Sequence, residues 1–222
     1  MASKVNVITI DGPVAAGKTV VGRELAQTLG FTYLDTGIMY RAVTWLALNK
    51  GIAIGDETLL GSLAHDNPIE LVEDNSEQVS VAGNILGLEL REANVDQNVS
   101  IISKAGPVRT ELVAQQRKIA AKSKIVMIGR DIGTVVLPDA DLKIYLTASP
   151  ETRAKRRWQE MQDRGATTEL MTVLPQTIKR DEIASGRANS PLKPADGAWH
   201  INTDGLSIQQ LVKQIVDRTK TL

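Results

Sequence analysis

The chain contains no cysteine, which removes disulfides, thiolate nucleophiles and cysteine-based zinc or iron–sulfur sites together. It also carries no net charge, 26 basic side chains balancing 26 acidic ones. A dedicated nucleic-acid binder would show a basic excess, so no nucleic-acid partner is expected; a small anion needs only local charge. No apolar run approaches the ~20 residues that span a bilayer. The opening Met-Ala-Ser-Lys-Val-Asn lacks the apolar core of a secretory signal. A soluble cytoplasmic monomer without a membrane partner is expected. Repeats, low-complexity tracts and long linkers are absent, and the 222 residues suffice for one globular unit with a sizeable core and an inserted subdomain.

What is present alternates. Val5 to Ile10 is a β-branched run entering a loop at Asp11-Gly12-Pro13. From Lys18 the spacing turns helical, with Val21, Leu25 and Leu29 on one face and Gly30 as the stop. Phe31 to Leu34 predicts a second strand ending at Asp35-Thr36-Gly37, followed by a helix with Met39, Val43, Leu46 and Ala47 inward. Asp56 to Asp66 is a further helix. Ile69 to Val72 and Val79 to Val81, with a turn at Gly83-Asn84 before Ile85, predict a small antiparallel patch. Val108 to Ala121 predicts a helix, and Ile125 to Ile128 and Leu142 to Leu146 predict buried strands. Ser149-Pro150 starts a basic helix running to Gly165. Another helix is expected over Thr177 to Ala184 and a last strand over Trp199 to Asn202. Ser207 and Gln210 form a capping box for the closing helix. Five strands apolar enough to be buried on both faces, alternating with helices, predict a parallel sheet with helices on either side.

The sharpest motif is Gly12-Pro13-Val14-Ala15-Ala16-Gly17-Lys18-Thr19, which fits G-x-x-x-x-G-K-[ST] between a strand and a helix. Such a loop turns backbone N–H groups on phosphate oxygens, and the helix N-terminus, opening at Lys18-Thr19-Val20, adds positive potential. Gly17 allows close approach, Lys18 reaches the terminal phosphates, and the Thr19 hydroxyl is placed to ligate Mg2+. Nucleotide binding follows. The guanine-reading N-K-x-D and the γ-phosphate-sensing D-x-x-G segments are both missing, which excludes a GTPase. His65 and His200 are too far apart in the chain to suggest zinc, and Trp45, Trp158 and Trp199 read as packing residues.

A second set of arginines suits a second phosphate. Arg41 follows Asp35-Thr36-Gly37 at a strand's C-terminal end, and Arg130 with Asp131 sits likewise after another strand, the edge where open α/β sheets bind ligands. Arg153, Arg156 and Arg157 share one helix face, with Arg180 and Arg187 further on. Guanidinium forks would stabilise charge on a migrating phosphoryl group, which makes Lys18, Arg41, Arg130, Arg153 and Arg157 the candidate catalytic residues. A phosphate acceptor needs no general base. An alcohol acceptor would need one, and Asp35 or Asp131 could serve. A regulatory module that binds nucleotide without turnover is the reading from a different class.

Several of these runs carry a family resemblance. Ile10-Asp11-Gly12-Pro13, Leu34-Asp35-Thr36-Gly37 with Tyr40-Arg41, Gly129-Arg130-Asp131-Ile132-Gly133-Thr134-Val135-Val136, Leu146 to Glu151, and Arg187 to Ala195 resemble bacterial cytidylate kinases. The resemblance implies a nucleoside-monophosphate-kinase fold: a P-loop domain with a five-stranded parallel core, a monophosphate-binding insert over 36–105 and a helical lid over 150–188. It implies transfer of the γ-phosphoryl of ATP to CMP, with dCMP as a further acceptor, and with Mg2+. It also implies that Arg41, Arg130 and Arg187 hold the acceptor phosphate. Arg109, Asp131 and Ser100, or its neighbour Ser103, would read cytosine; Thr36 replaces the usual serine at the acceptor site, and Arg180 lies beside the ribose. The pattern R-D-x-x-D-x-x-R becomes Arg180-Asp181-Glu182-Ile183-Ala184-Ser185-Gly186-Arg187, with Ala184 where a sugar-contacting aspartate is expected. That departure bears on ribose against deoxyribose, and UMP remains an alternative acceptor. Val14-Ala15-Ala16 departs from the usual Ser-Gly-Ala, and Thr19 replaces a frequent glycine.

Overall fold

A computed structural model describes residues 4–72, 77–163, 165, 167–186 and 190–222. The first half of the chain forms β1 (Val7–Asp11), α1 (Lys18–Leu29), β2 (Thr32–Asp35), α2 (Thr36–Asn49), α3 (Glu57–Asp66), β3 (Glu70–Leu71), β4 (Val79–Val81), β5 (Asn84–Leu86) and α4 (Ala93–Ile102). Then come α5 (Gly106–Ala120), β6 (Ile125–Gly129), β7 (Leu142–Thr147), α6 (Pro150–Gln162), α7 (Leu170–Ser185), β8 (Trp199–Asn202) and α8 (Ile208–Thr219). The chain divides into two compact units, Met1–Tyr33 with Lys124–Leu222, and Leu34–Ser123.

The first unit is built on a five-stranded sheet of order β2-β6-β1-β7-β8. β1 pairs in parallel with β6 on one side (Ile10 with Ile128) and β7 on the other (Ile10 with Ile144), and β8 adds in parallel to β7. The central strands are buried on both faces: β1 turns Ile8 and Ile10 to one side and Thr9 and Asp11 to the other. Ile8, Ile10, Val126, Ile128, Ile144 and Leu146 are buried against Val21 and Leu25 of α1 and Leu211 and Ile215 of α8. Each such side chain contributes roughly 1.5–3 kcal/mol by leaving water. Gly22 lets α1 close on the sheet, since a Cβ there would stand 2.6 Å from Ile128 Cγ2. Ser207 and Gln210 cap α8 reciprocally, as the spacing predicted. The parallel order brings the loops after β1, β6 and β7 to one edge of the sheet, where such folds bind ligands.

The second unit packs α3 on α5 and α2 on α4 beside the antiparallel sheet β3-β4-β5. Pro107 fills the space at Gly61, where a Cβ would stand 2.4 Å from the proline Cβ. The hairpin turns at Ala82-Gly83, with φ of 49° and 77°, and Asn84 pairs with Val81. The turn therefore lies one residue before the predicted Gly83-Asn84, because a two-residue turn with both φ positive matches strand twist.

Two helices differ from the sequence reading. α4 was not predicted: its apolar residues are interleaved with polar ones, and only Val95 and Ile102 are buried, so no continuous apolar face marks it. α7 begins at Leu170 rather than Thr177 and contains Pro175, a residue that ordinarily ends a helical reading. Burial of Val173 and Thr177 holds the helix across it. Among the described residues no helix is long and apolar enough to cross a membrane.

Candidate active site

At the end of β1 the chain leaves Asp11 and turns at Gly12, φ 149°. A Cβ at that position would lie 2.1 Å from the Leu146 carbonyl oxygen of β7, so β7 itself requires glycine here. Ala15 (φ 57°) and Gly17 (φ 96°) complete the turn. Gly17 precedes α1, and no side chain caps that helix, which leaves its first N–H groups and its positive end to an anion. The Lys18 ammonium donates to the Pro13 carbonyl at 2.7 Å. Thr19 and Val20 are exposed in the first turn of α1, and the Thr19 hydroxyl is a hard oxygen donor of the kind Mg2+ takes.

The loop's carbonyls are held from outside. Arg153 on α6 donates through Nη1 to the Val14 carbonyl at 3.3 Å and through Nε to the Ala148 carbonyl at 3.1 Å, and it forms an ion pair with Asp181 of α7. The other oxygen of Asp181 accepts from the Val14 N–H at 3.4 Å. Arg156 reaches the Ala15 carbonyl at 3.5 Å while donating to the Thr203 hydroxyl (2.9 Å) and carbonyl (3.0 Å). Thr203 in turn donates to the Ala16 carbonyl at 3.3 Å. Carbonyls engaged this way do not turn toward an incoming phosphate. α6 is itself anchored: Ser149 caps it, and Asp204 accepts the Ser149 N–H at 3.0 Å. Those hydrogen bonds, the Ser149 N–H first, hold the Asp204 carboxyl below its ordinary value.

The arginine face read from α6 thus divides its work. Arg153 and Arg156 clasp the loop, and Arg157 pairs along the helix with Glu160 at 3.3 Å. Thr203 and Asp181 were not singled out in the sequence. Asp181 sits beside Arg180 in a charged run that could have flagged it, whereas nothing local marks Thr203. Arg156→Ala removes the contact to the Ala15 carbonyl and the support of Thr203 on the Ala16 carbonyl and is expected to weaken nucleotide binding about tenfold. Calorimetric titration measures this, and unchanged affinity would show that the loop keeps its shape unaided.

The loop after β6 is tied to β1 by Asp11. This carboxylate is 2% exposed and accepts the Ile132 N–H on one oxygen and the Gly133 N–H on the other, both at 2.8 Å. Burial pushes the Asp11 carboxyl up to about 6, and nearby Asp131 adds to the rise; the two N–H donors and Lys18 pull the other way. Arg130 is half-buried and Asp131 buried just before that point, where Ile132–Val136 forms a π-helical turn. Arg180 lies on α7, half-buried, and Ala184 on the same helix is buried at 1% exposure. Arg187 lies outside the described residues.

In the second unit, Asp35 caps α2 by accepting the Gly37 N–H at 2.9 Å, which sets Thr36 in its first turn. Arg41 donates to the Leu90 carbonyl at 3.0 Å and pairs with Asp96 of α4. The α4 helix that the periodicity did not show therefore supplies this arginine's counter-charge. Arg109 is 7% exposed and donates to the Tyr40 hydroxyl at 3.2 Å and the Ser103 carbonyl at 3.5 Å. Ser103 is buried, its hydroxyl donating to the Ser100 carbonyl at 3.2 Å, and Ser100 is half-buried. His65 pairs with Glu111 at 3.1 Å, far in the sequence from His200.

In the first unit a phosphate-binding loop with clasped carbonyls stands beside an Arg-Asp loop tied to the same strand, which makes nucleotide-binding kinases the natural comparison. The sequence profile of the family described as cytidylate kinase matches residues 8–221. The chain belongs to the cytidylate kinase family. A protein of that name from Caldanaerobacter subterraneus subsp. tengcongensis is 44% identical over 210 residues, covering 95% of this chain and 92% of the relative. The Streptococcus suis cytidylate kinase is 45% identical over 217 residues, 97% of this chain and 96% of its own. An uncharacterized protein from Eubacterium ventriosum, solved by crystallography, aligns over 97% of this chain and 99% of its own with a TM-score of 0.52 at 15% identity. That likeness concerns the fold. Family membership agrees with the resemblance read from the Gly129 to Val136 run.

Proposed function

We propose that this chain transfers the γ-phosphoryl group of ATP to CMP, giving ADP and CDP. The observation that carries the reading is the loop Gly12–Thr19, its carbonyls engaged by Arg153, Arg156 and Thr203, beside the Arg130-Asp131 loop fastened to the same strand through Asp11. Membership of the cytidylate kinase family supports CMP as the acceptor.

In this reading an oxygen of the CMP phosphate forms the new P–O bond to the γ-phosphorus. The bond from the γ-phosphorus to the β,γ-bridging oxygen breaks, and ADP leaves. The acceptor oxygen is already anionic, since the second ionisation of a phosphate monoester lies near pH ~6, and no protein base has to remove a proton. Residues 12–20 bind the donor phosphates, and Lys18 compensates the charge spreading over the transferred group. Thr19 would contribute its hydroxyl to Mg2+, which when bound with the nucleotide neutralises donor charge. Arg41 and Arg130 are assigned to the acceptor phosphate, with Arg187 of the undescribed 187–189 segment as the third cation. Arg109, Asp131 and Ser100 are assigned to the base, Thr36 to the acceptor site and Arg180 to the sugar. Arg153 enters as the residue that keeps the donor loop in shape, and Arg157 as a further cation on α6.

The test is ADP release from Mg-ATP with CMP, dCMP, UMP, AMP and no acceptor. CMP is expected to exceed UMP and AMP by about tenfold or more in kcat/KM. With no carboxylate at the buried Ala184, ribose and deoxyribose acceptors are expected within about fivefold of each other. Turnover with UMP or AMP above CMP would overturn the acceptor assignment.

A further inference from the structure

Asp11 is a buried carboxylate that phosphoryl transfer itself does not employ. It ends β1, one residue before the donor loop, and Tyr145 of β7 is its register partner. Both its oxygens take N–H groups from Ile132 and Gly133 at 2.8 Å. The fit is tight from the other side as well. A Cβ on Gly133 would stand 3.0 Å from Thr9 Oγ1, 3.2 Å from Ala195 Cβ and 3.4 Å from Asp11 Oδ2. Backbone at 133 therefore lies directly on the face of β1 that residues 9 and 11 share. An apolar side chain would leave the two buried N–H groups without acceptors.

We propose that Asp11 is a positioning residue for the acceptor: by holding the Ile132 and Gly133 N–H groups it sets where Arg130 and Asp131 stand relative to the donor loop. This rests on assigning Arg130 and Asp131 to the acceptor. The ionised carboxylate offers a full acceptor oxygen to each N–H group, and protonation converts one of them to a hydroxyl, a weaker acceptor that also carries a donor. The charged or titratable groups facing Asp11 are Asp131 from the loop it holds, Lys18 from α1, and the neutral phenol of Tyr145 from β7 with Asp181 and Arg153 beyond it. Burial, the largest cause, raises the Asp11 carboxyl from 3.8 to about 6. The folded state then keeps its proton over pH 3.8–6 while the unfolded chain has lost it, so this group's contribution to stability falls as pH rises through that window and stays low above it. Asp11 holds the loop at a cost to folding, as a functional group does.

Asp11→Asn keeps the shape and one acceptor. It is expected to raise the KM for CMP about tenfold while the KM for ATP moves less than about threefold. Its melting temperature relative to wild type should be more favourable at pH 8 than at pH 5. In wild type, kcat/KM for CMP should fall below pH ~6 with two protons, one from the CMP phosphate and one from Asp11; the variant should keep only the first. The wild-type profile tests the proposal even if the variant folds poorly, and a one-proton limb in wild type overturns it. Arg130→Ala is run alongside. If it raises the KM for CMP while Asp11→Asn leaves it unchanged, the positioning role alone fails. If neither variant affects CMP, the acceptor assignment fails and the proposal with it.

Discussion

Gly12→Ala is expected to lower the melting temperature by about 10 °C or more and to abolish turnover. The added Cβ would stand 2.1 Å from the Leu146 carbonyl oxygen, a backbone atom in a strand paired on both sides and unable to rotate away. Either β7 parts from β1 or the loop is displaced. Overpacking in a well-packed core costs about 1–3 kcal/mol, and a φ of 149° in a region open almost only to glycine adds about 1–3 kcal/mol more. At roughly 2–4 °C per kcal/mol for a chain of this size, the sum reaches that shift. Calorimetry with an ADP-release assay reads both effects. A variant melting within about 2 °C of wild type would show that β7 yields at this point and that the glycine is there for another reason.

Lys18→Ala is expected to reduce kcat by a factor of about 10²–10³ while leaving the melting temperature nearly unchanged. Its hydrogen bond to Pro13 O at 2.7 Å is half-exposed and worth about 1 kcal/mol net to folding. A cation aimed at charge that develops on a transferring phosphoryl group is worth about 3–4 kcal/mol in the barrier. The catalytic effect therefore exceeds the structural one. Lys18→Arg restores charge but not the compact ammonium, so only part of the rate should return. Near-normal rates with CMP in Lys18→Ala would mean that the loop does not hold the donor.

The Arg156 clamp and the Asp11 tie concern the same edge of the sheet from two directions. One keeps the donor loop's carbonyls occupied, and the other holds the Arg130-Asp131 loop to β1. Both act on backbone groups, and at Val14, Ala15 and Ala16 the groups engaged are carbonyls that any residue supplies.

Much of this protein was determined by local sequence. The β-branched runs of β1 and β6 are buried on both faces, which requires helices on both sides and a parallel sheet. Gly12 to Thr19 announces a phosphate loop locally, through glycines that allow positive φ and a helix start that no side chain caps. Ser149-Pro150 and Ser207 with Gln210 start helices through contacts within a few residues. The tertiary structure decided what depends on distant partners. Asp11 meets residues 132 and 133 only because β1 and β6 lie side by side, and Thr203 reaches Ala16 only because β8 joins the sheet's far edge. Arg153 and Arg156 looked like one basic face, and packing gave each a different carbonyl. α4, whose Asp96 pairs with Arg41, buries only Val95 and Ile102 and shows no continuous apolar face. α7 continues through Pro175 because burial of Val173 and Thr177 offsets a residue that by itself ends helices. Periodicity and turn chemistry act over a few residues; hydrogen bonds to buried backbone across a sheet are set by topology, which no short window of sequence contains.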